Sequence, residues 1–143
     1  MSHPGLIRYR STMRFTEPDD SDRNLVQAYG PAGILVGGRT YGGALILTPG
    51  RIITDWGPRD AAGLGPEHLQ ALLDLDPELI VLGTGAVQVF PAPSLYRALA
   101  ARRVGIEIMD TGAACRTYNF LLAEGRRVVA GLLPLLKTQD FYR

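Results

Sequence analysis

Two pieces of this chain have residue types and spacing suited to chemistry. Gly83-Thr84-Gly85 directly follows the apolar run Leu79-Ile80-Val81-Leu82. Glycines after a buried strand let a ligand approach the backbone, and free N–H groups in such a turn can receive an anion. The second piece is Asp110-Thr111, which opens an amphipathic segment carrying Arg116 and Asn119. Residues three apart share one helix face. If that face turns toward the glycine loop, Gly83, Thr84, Gly85, Thr111, Arg116 and Asn119 form a ligand-binding pocket. Its one guanidinium would suit a small anionic ligand bearing a carboxylate or phosphate. In a parallel sheet such a loop lies at the carboxyl edge, where ligands usually bind. The competing reading is structural: a strand-to-loop turn, a helix cap, and an arginine that is solvated or paired with Asp110, Glu124 or a loop carbonyl.

Other chemistry finds less support. Cys115 is the single cysteine and lies inside the amphipathic segment. The neighbouring Arg116 would lower its pKa, but a lone helical cysteine reads first as packing. His3 and His68 are distant from each other and from Cys115 in sequence, so no metal site and no cofactor are expected. A dinucleotide site fails because Gln88 stands where a third glycine is needed, and Pro91 and Pro93 prevent a helix from starting at the glycines. Asp55 and Asp60 flank Trp56 and read as turn aspartates. Trp56 and Tyr41 are expected near each other on adjacent strands as core residues, with a partner-binding aromatic anchor as the alternative.

Composition narrows the classes. The chain has 143 residues, 46% hydrophobic and 20% charged, consistent with one globular domain. A net charge of +1 leaves no basic footprint for nucleic acid. One cysteine permits no intrachain disulfide. No apolar run reaches membrane-span length and the N-terminus does not read as a secretory signal, so the expected location is cytoplasmic.

The elements that must position these residues change rhythm midway. Residues 1–24 read as an irregular arm, residues 25–135 as the domain and residues 136–143 as a tail. The first half reads as a β-meander: strands over 25–29 and 33–36, a Gly37-Gly38 hairpin, one long strand over 39–48 with a bulge at Gly42-Gly43, and a strand over 51–56. The second half alternates. A helix runs from about 65 to 75, a buried strand covers 79–82, a second helix covers 93–102 and a second buried strand covers 104–109. A capped helix then carries Ala114, Tyr118, Leu121 and Leu122 as its apolar stripe, Gly125 stops it, and a last strand spans 128–133. Alternating strands and helices imply a largely parallel sheet, although the last strand could run either way.

Three ordered segments carry a family resemblance. The first is Gly38-Arg39-Thr40-Tyr41-Gly42-Gly43-Ala44-Leu45-Ile46-Leu47, followed by Trp56. The second is Leu79-Ile80-Val81-Leu82-Gly83-Thr84-Gly85. The third runs from Asp110-Thr111-Gly112-Ala113-Ala114-Cys115-Arg116-Thr117-Tyr118-Asn119 to Pro134. In this set the chain resembles the Mth938-like domain family, which includes mitochondrial complex I assembly factor 3 proteins and uncharacterised bacterial members. The resemblance implies an α/β fold: a single three-layer domain with a central mixed sheet, helices, and a small β-layer from the N-terminal half. It also implies help in assembling a protein complex, with no assigned chemistry.

The functional reading is therefore a non-catalytic binding or assembly factor with a protein partner, without nucleic acid or a membrane span. The alternative is a small-molecule or anion-binding protein, or an enzyme, using the Gly83–Gly85 loop and Arg116.

Overall fold

The computed structural model describes residues 13–14 and 23–136. Its strands are β1 (Met13–Arg14), β2 (Val26–Gly30), β3 (Gly33–Val36), β4 (Arg39–Tyr41), β5 (Leu45–Thr48), β6 (Arg51–Thr54), β7 (Leu79–Gly83), β8 (Gly105–Met109) and β9 (Val128–Leu132). Its helices are α1 (Pro66–Leu73), α2 (Arg97–Ala101) and α3 (Thr111–Ala123). A four-stranded antiparallel sheet has the order β1-β2-β3-β4, and a five-stranded mixed sheet has the order β6-β5-β9-β7-β8. β7 is parallel to both β8 and β9, whereas β5 is antiparallel to β6 and β9.

The apolar runs are continuous because the large sheet is covered on both faces. Side chains alternate across the pleat. Leu45, Leu47, Val81, Val128, Ala130 and Leu132 enter one cluster with Ala114, Tyr118, Leu121 and Leu122 of α3. Val26, Ile34 and Val36 of the small sheet join that same cluster, so α3 lies between the two sheets. Ile46, Ile80, Leu82 and Val129 enter the other cluster, with Leu69, Leu72 and Leu73 of α1, Leu99 of α2, and Trp56. Each fully buried Leu or Ile contributes about 1.5–3 kcal/mol of transfer free energy. The fold is therefore a mixed α/β domain whose N-terminal strands form the small β-layer.

Several elements differ from their sequence pattern. The stretch expected to be one strand over 39–48 is two strands in different sheets, β4 and β5. The exposed Gly42 and Gly43 lie between them, so the glycines mark a change of sheet rather than a bulge. Trp56 and Tyr41 consequently lie on opposite sides of the large sheet: Trp56 packs with the α1 cluster and Tyr41 with the α3 cluster. The strand expected to be buried at 104–109 is the edge strand β8, whose residues are half-buried or exposed. The second helix begins as a 3-10 turn at Pro93–Tyr96 before α2, and α1 ends at Leu73. The last strand, β9, runs parallel to β7 at the centre of the sheet. Within the expected arm, Met13 and Arg14 pair with β2. The rest of residues 1–22, and residues 137–143 of the expected tail, lie outside the described residues.

Trp56 closes the α1 side by lying against Gly131. A Cβ at Gly131 would sit 2.7 Å from Trp56 Cη2 and 3.1 Å from Leu72 Cδ1. Gly131→Ala should therefore destabilise the fold by about 1–3 kcal/mol, the usual range for overpacking. Urea unfolding should show a smaller penalty for the same change made in a Trp56→Phe background. Equal penalties in both backgrounds would refute the contact.

Candidate functional site

At the carboxyl end of β7 the backbone comes against the first turn of α3. A Cβ at Gly83 would stand 2.9 Å from both Thr111 Cα and Thr111 Oγ1, so a side chain there would separate strand from helix. Thr111 is completely buried. Its hydroxyl accepts from the Gly85 N–H at 2.8 Å and donates to the Leu133 carbonyl at 2.8 Å. Its own N–H donates to the Gly85 carbonyl at 2.8 Å. One residue thus joins the glycine loop, the start of α3 and the end of β9.

Thr84 organises the rest of the loop. Its hydroxyl donates to the Val87 carbonyl at 2.7 Å and accepts from the Val89 N–H at 3.0 Å. Its N–H donates to the Met109 carbonyl at 2.9 Å. Gln88 Nε2 donates to the Ile108 carbonyl at 2.9 Å, tying the loop to the edge strand β8. Asp110 is the N-cap of α3, and its Oδ1 accepts from the Ala113 N–H at 2.9 Å.

The other two site residues find their partners in β2. Asn119 forms a two-sided amide pair with Val26: Oδ1 accepts from the Val26 N–H at 2.9 Å, and Nδ2 donates to the Val26 carbonyl at 2.9 Å. Arg116 is exposed; its Nη1 donates to the Tyr29 hydroxyl, and its guanidinium lies 6.0 Å from the Tyr29 ring centre. The structure therefore brings Gly83, Thr84, Gly85 and Thr111 together, while Arg116 and Asn119 join α3 to the small sheet.

A cleft of about 340 Å³ does open beside the loop. Thr84, Gly85, Val87 and Val89 form one side, Arg59, Asp60, Ala61 and Ala62 another, and Pro134 and Leu136 a third. Neither Arg116 nor Asn119 lines it; its guanidinium is Arg59. From its sequence context Asp60 reads only as a turn residue, and Arg59 beside it belongs to no motif. No local signal marked the 59–62 segment, because the fold alone carries it to the glycine loop. Val87, Val89 and Phe90 are exposed at this end, Phe90 by 66%.

His68 is committed to structure. Its Nδ1 accepts from the Gly65 N–H at 2.8 Å, its carbonyl accepts from Trp56 Nε1 at 3.0 Å, and its ring meets Trp56 edge-on. Cys115 is fully buried. Burial pushes its thiol up to about 12 from 9.0, against a smaller downward pull from Arg116. Such a thiol stays protonated and inert at neutral pH. Among the described residues, no group of His, Cys, Asp and Glu could hold a metal ion, and no helix is long and apolar enough to cross a membrane.

The family model described as "Protein of unknown function (DUF498/DUF598)" matches residues 26–133. The chain belongs to the DUF498/DUF598 family. A Bordetella pertussis structure described as a Mth938-like domain covers 92% of this chain and 98% of its own, with 32% identity and a TM-score of 0.74. A Bordetella parapertussis crystal structure matches at 42% identity and a TM-score of 0.74, over 78% of this chain and 96% of its own. These likenesses agree with the Mth938-like fold. A Danio rerio protein named NADH dehydrogenase [ubiquinone] 1 alpha subcomplex assembly factor 3 is 31% identical over 130 residues, covering 89% of this chain and 74% of that protein. The family match spans the glycine loop, α3 and β9, so the Thr111 junction lies within the shared domain.

Two outcomes follow from these bonds. Thr111→Val should keep the shape but leave the Gly85 N–H and Leu133 carbonyl unpaired, costing roughly 2–6 kcal/mol at about 1–3 kcal/mol for each buried orphan. Thr111→Ser should recover most of this in chemical denaturation, and equal losses for the two variants would refute the hydroxyl's role. For Cys115 the folded pKa is raised, so its stabilising contribution is complete below pH 9 and is lost as pH rises toward about 12. The unfolding midpoint should fall across that window less steeply in Cys115→Ala than in wild type. Superimposable pH profiles would overturn the assignment.

Proposed function

We propose that this chain is a non-catalytic binding protein that acts in the assembly of a larger protein complex. The observation that carries the reading is the Thr84–Phe90 loop. It holds Val87, Val89 and Phe90 exposed beside an apolar cleft, while the Thr84 hydroxyl pins its backbone at Val87 and Val89. A pinned apolar loop presents its side chains with little ordering cost on association, and large exposed apolar groups next to a cleft suit a protein anchor. The hydroxyls of Thr84 and Thr111 and the amide of Asn119 are engaged with backbone groups. This favours binding over acid–base or nucleophilic work. The similarity to assembly factor 3 supports a subunit of an NADH dehydrogenase-type complex as the partner.

A second reading, small-molecule binding, draws on the same cleft. Its volume is within the lower range of ligand sites, and Thr84 and Gly85 line it. In that reading Arg59 is the cation placed to meet an anion there, and Arg116 would contribute only from outside the cleft.

Native affinity capture from the cells that make this chain tests the leading reading. Wild type should co-elute in near-equal amount with a subunit of such a complex. Val87→Ser/Phe90→Ser should lower recovery at least tenfold while keeping the wild-type unfolding midpoint. Elution without a protein partner, or capture unaffected by the double substitution, overturns the reading.

A further inference from the structure

The amino end of the large sheet holds a second cleft, of about 320 Å³, at the opposite edge from the glycine loop. The β5–β6 turn, the segment before β7 and the segment between α3 and β9 build it. Arg51, Arg126 and Arg127 line it over an apolar floor that includes Leu75, Pro77 and Val129.

The charges there are unevenly matched. Arg126 Nε donates to Glu78 Oε2 at 2.8 Å, and this bond is the main cause holding the exposed Glu78 carboxyl below its ordinary value. Arg127 Nε donates to the Asp76 carbonyl at 3.4 Å. Among the described residues, the outer nitrogens of both guanidiniums and the whole guanidinium of Arg51 have no protein acceptor. Three guanidiniums therefore face two carboxylates, Asp76 and Glu78, and the cleft keeps a net positive charge. The positions are built by the fold: Thr48 Oγ1 accepts from the Gly50 and Arg51 N–H groups, at 3.2 and 2.9 Å, and shapes the turn that starts β6. Glu78 Oε1 also accepts from the Arg127 N–H at 3.3 Å, which ties the α3–β9 connection to the start of β7.

We propose that this cleft is a binding site for a small organic anion, a carboxylate or phosphate carried on a short apolar body. The guanidiniums supply fork-shaped donors for the anionic group, as arginine does for carboxylates and phosphates generally. The Leu75, Pro77 and Val129 floor takes the apolar part. This site is separate from the apolar loop of the proposed protein interface and does not depend on it.

The test is backbone amide NMR titration of the full chain at constant ionic strength, with inorganic phosphate, hexyl phosphate and hexanoate as probes and sodium chloride as the control. Saturable shifts should appear at Arg51 and across Gly125–Val129, with hexyl phosphate binding at least tenfold more tightly than inorganic phosphate. Saturation by hexyl phosphate but not by hexanoate marks a phosphate ligand, and saturation by hexanoate as well admits a carboxylate. Arg51→Gln/Arg127→Gln should weaken binding at least tenfold, and Glu78→Gln, which releases Arg126, should strengthen it. Arg102→Gln/Arg103→Gln, an equal charge loss at the turn before β8, should change nothing. Shifts that do not saturate, that sodium chloride reproduces, or that respond equally to Arg102→Gln/Arg103→Gln would overturn the proposal.

Discussion

The structure depends on α3 being buried from two sides. A 13-residue helix is marginal by itself, and its stability comes from the surfaces it covers. Ala114, Cys115, Tyr118, Leu121 and Leu122 meet the large sheet and the small sheet in one cluster. The same helix forms the seam between them through polar bonds: Asn119 to Val26, the Tyr118 hydroxyl to the Asn24 carbonyl at 2.7 Å, and Arg23 to the Leu122 carbonyl near the helix end. Apolar burial supplies most of the free energy at this seam. The directional bonds select one register of β2 against α3, because a one-residue slip would turn Val26 and Ala28 out of the core.

Polar side chains in this domain mostly complete the backbone. Thr111 joins three segments, Thr84 shapes the loop, and Asp110 caps α3. Each lies where a helix or strand ends and backbone groups would otherwise be orphaned, which costs more than the bond itself returns. Side chains held in this way are poor acids, bases or nucleophiles. Among the groups left open are apolar side chains at Val87, Val89 and Phe90 and guanidiniums at the far end of the sheet. The two ends of the sheet therefore present different chemistry, and a single site joining the glycine loop to Arg116 does not describe either end.

The local readings that held share a physical basis. Gly37 and Gly38 take positive φ of 60° and 80° in the β3–β4 hairpin, as a tight turn there demands. The i, i+4, i+7, i+8 stripe of α3 is buried at all four positions. Asp110 caps the helix through the N–H three residues on. Each depends on neighbours within a few residues. The readings that changed concern which sheet or face an element joins. Apolar patterning is the same for Leu45–Leu47 whether the strand continues β4 or crosses to β9, and Gly42-Gly43 permits both. Ile106 and Ile108 look like the interior of a sheet, yet β8 lies at its edge because β9 takes the place on the other side of β7.

By itself the sequence determined most of the secondary elements and which side chains seek burial, since these follow from short-range periodicity, capping and turn chemistry, while its three ordered motifs carried the family resemblance. Tertiary structure alone decided what Arg116 and Asn119 do. Their three-residue spacing guarantees a shared helix face, but that face meets β2, more than 80 residues earlier in the chain, so Tyr29 and Val26 became their partners. It also decided that Arg59 borders the glycine-loop cleft and that Arg51 joins Arg126 and Arg127. Such neighbours are set by strand order and helix docking, which sum many weak long-range contacts and leave no mark in local residue spacing.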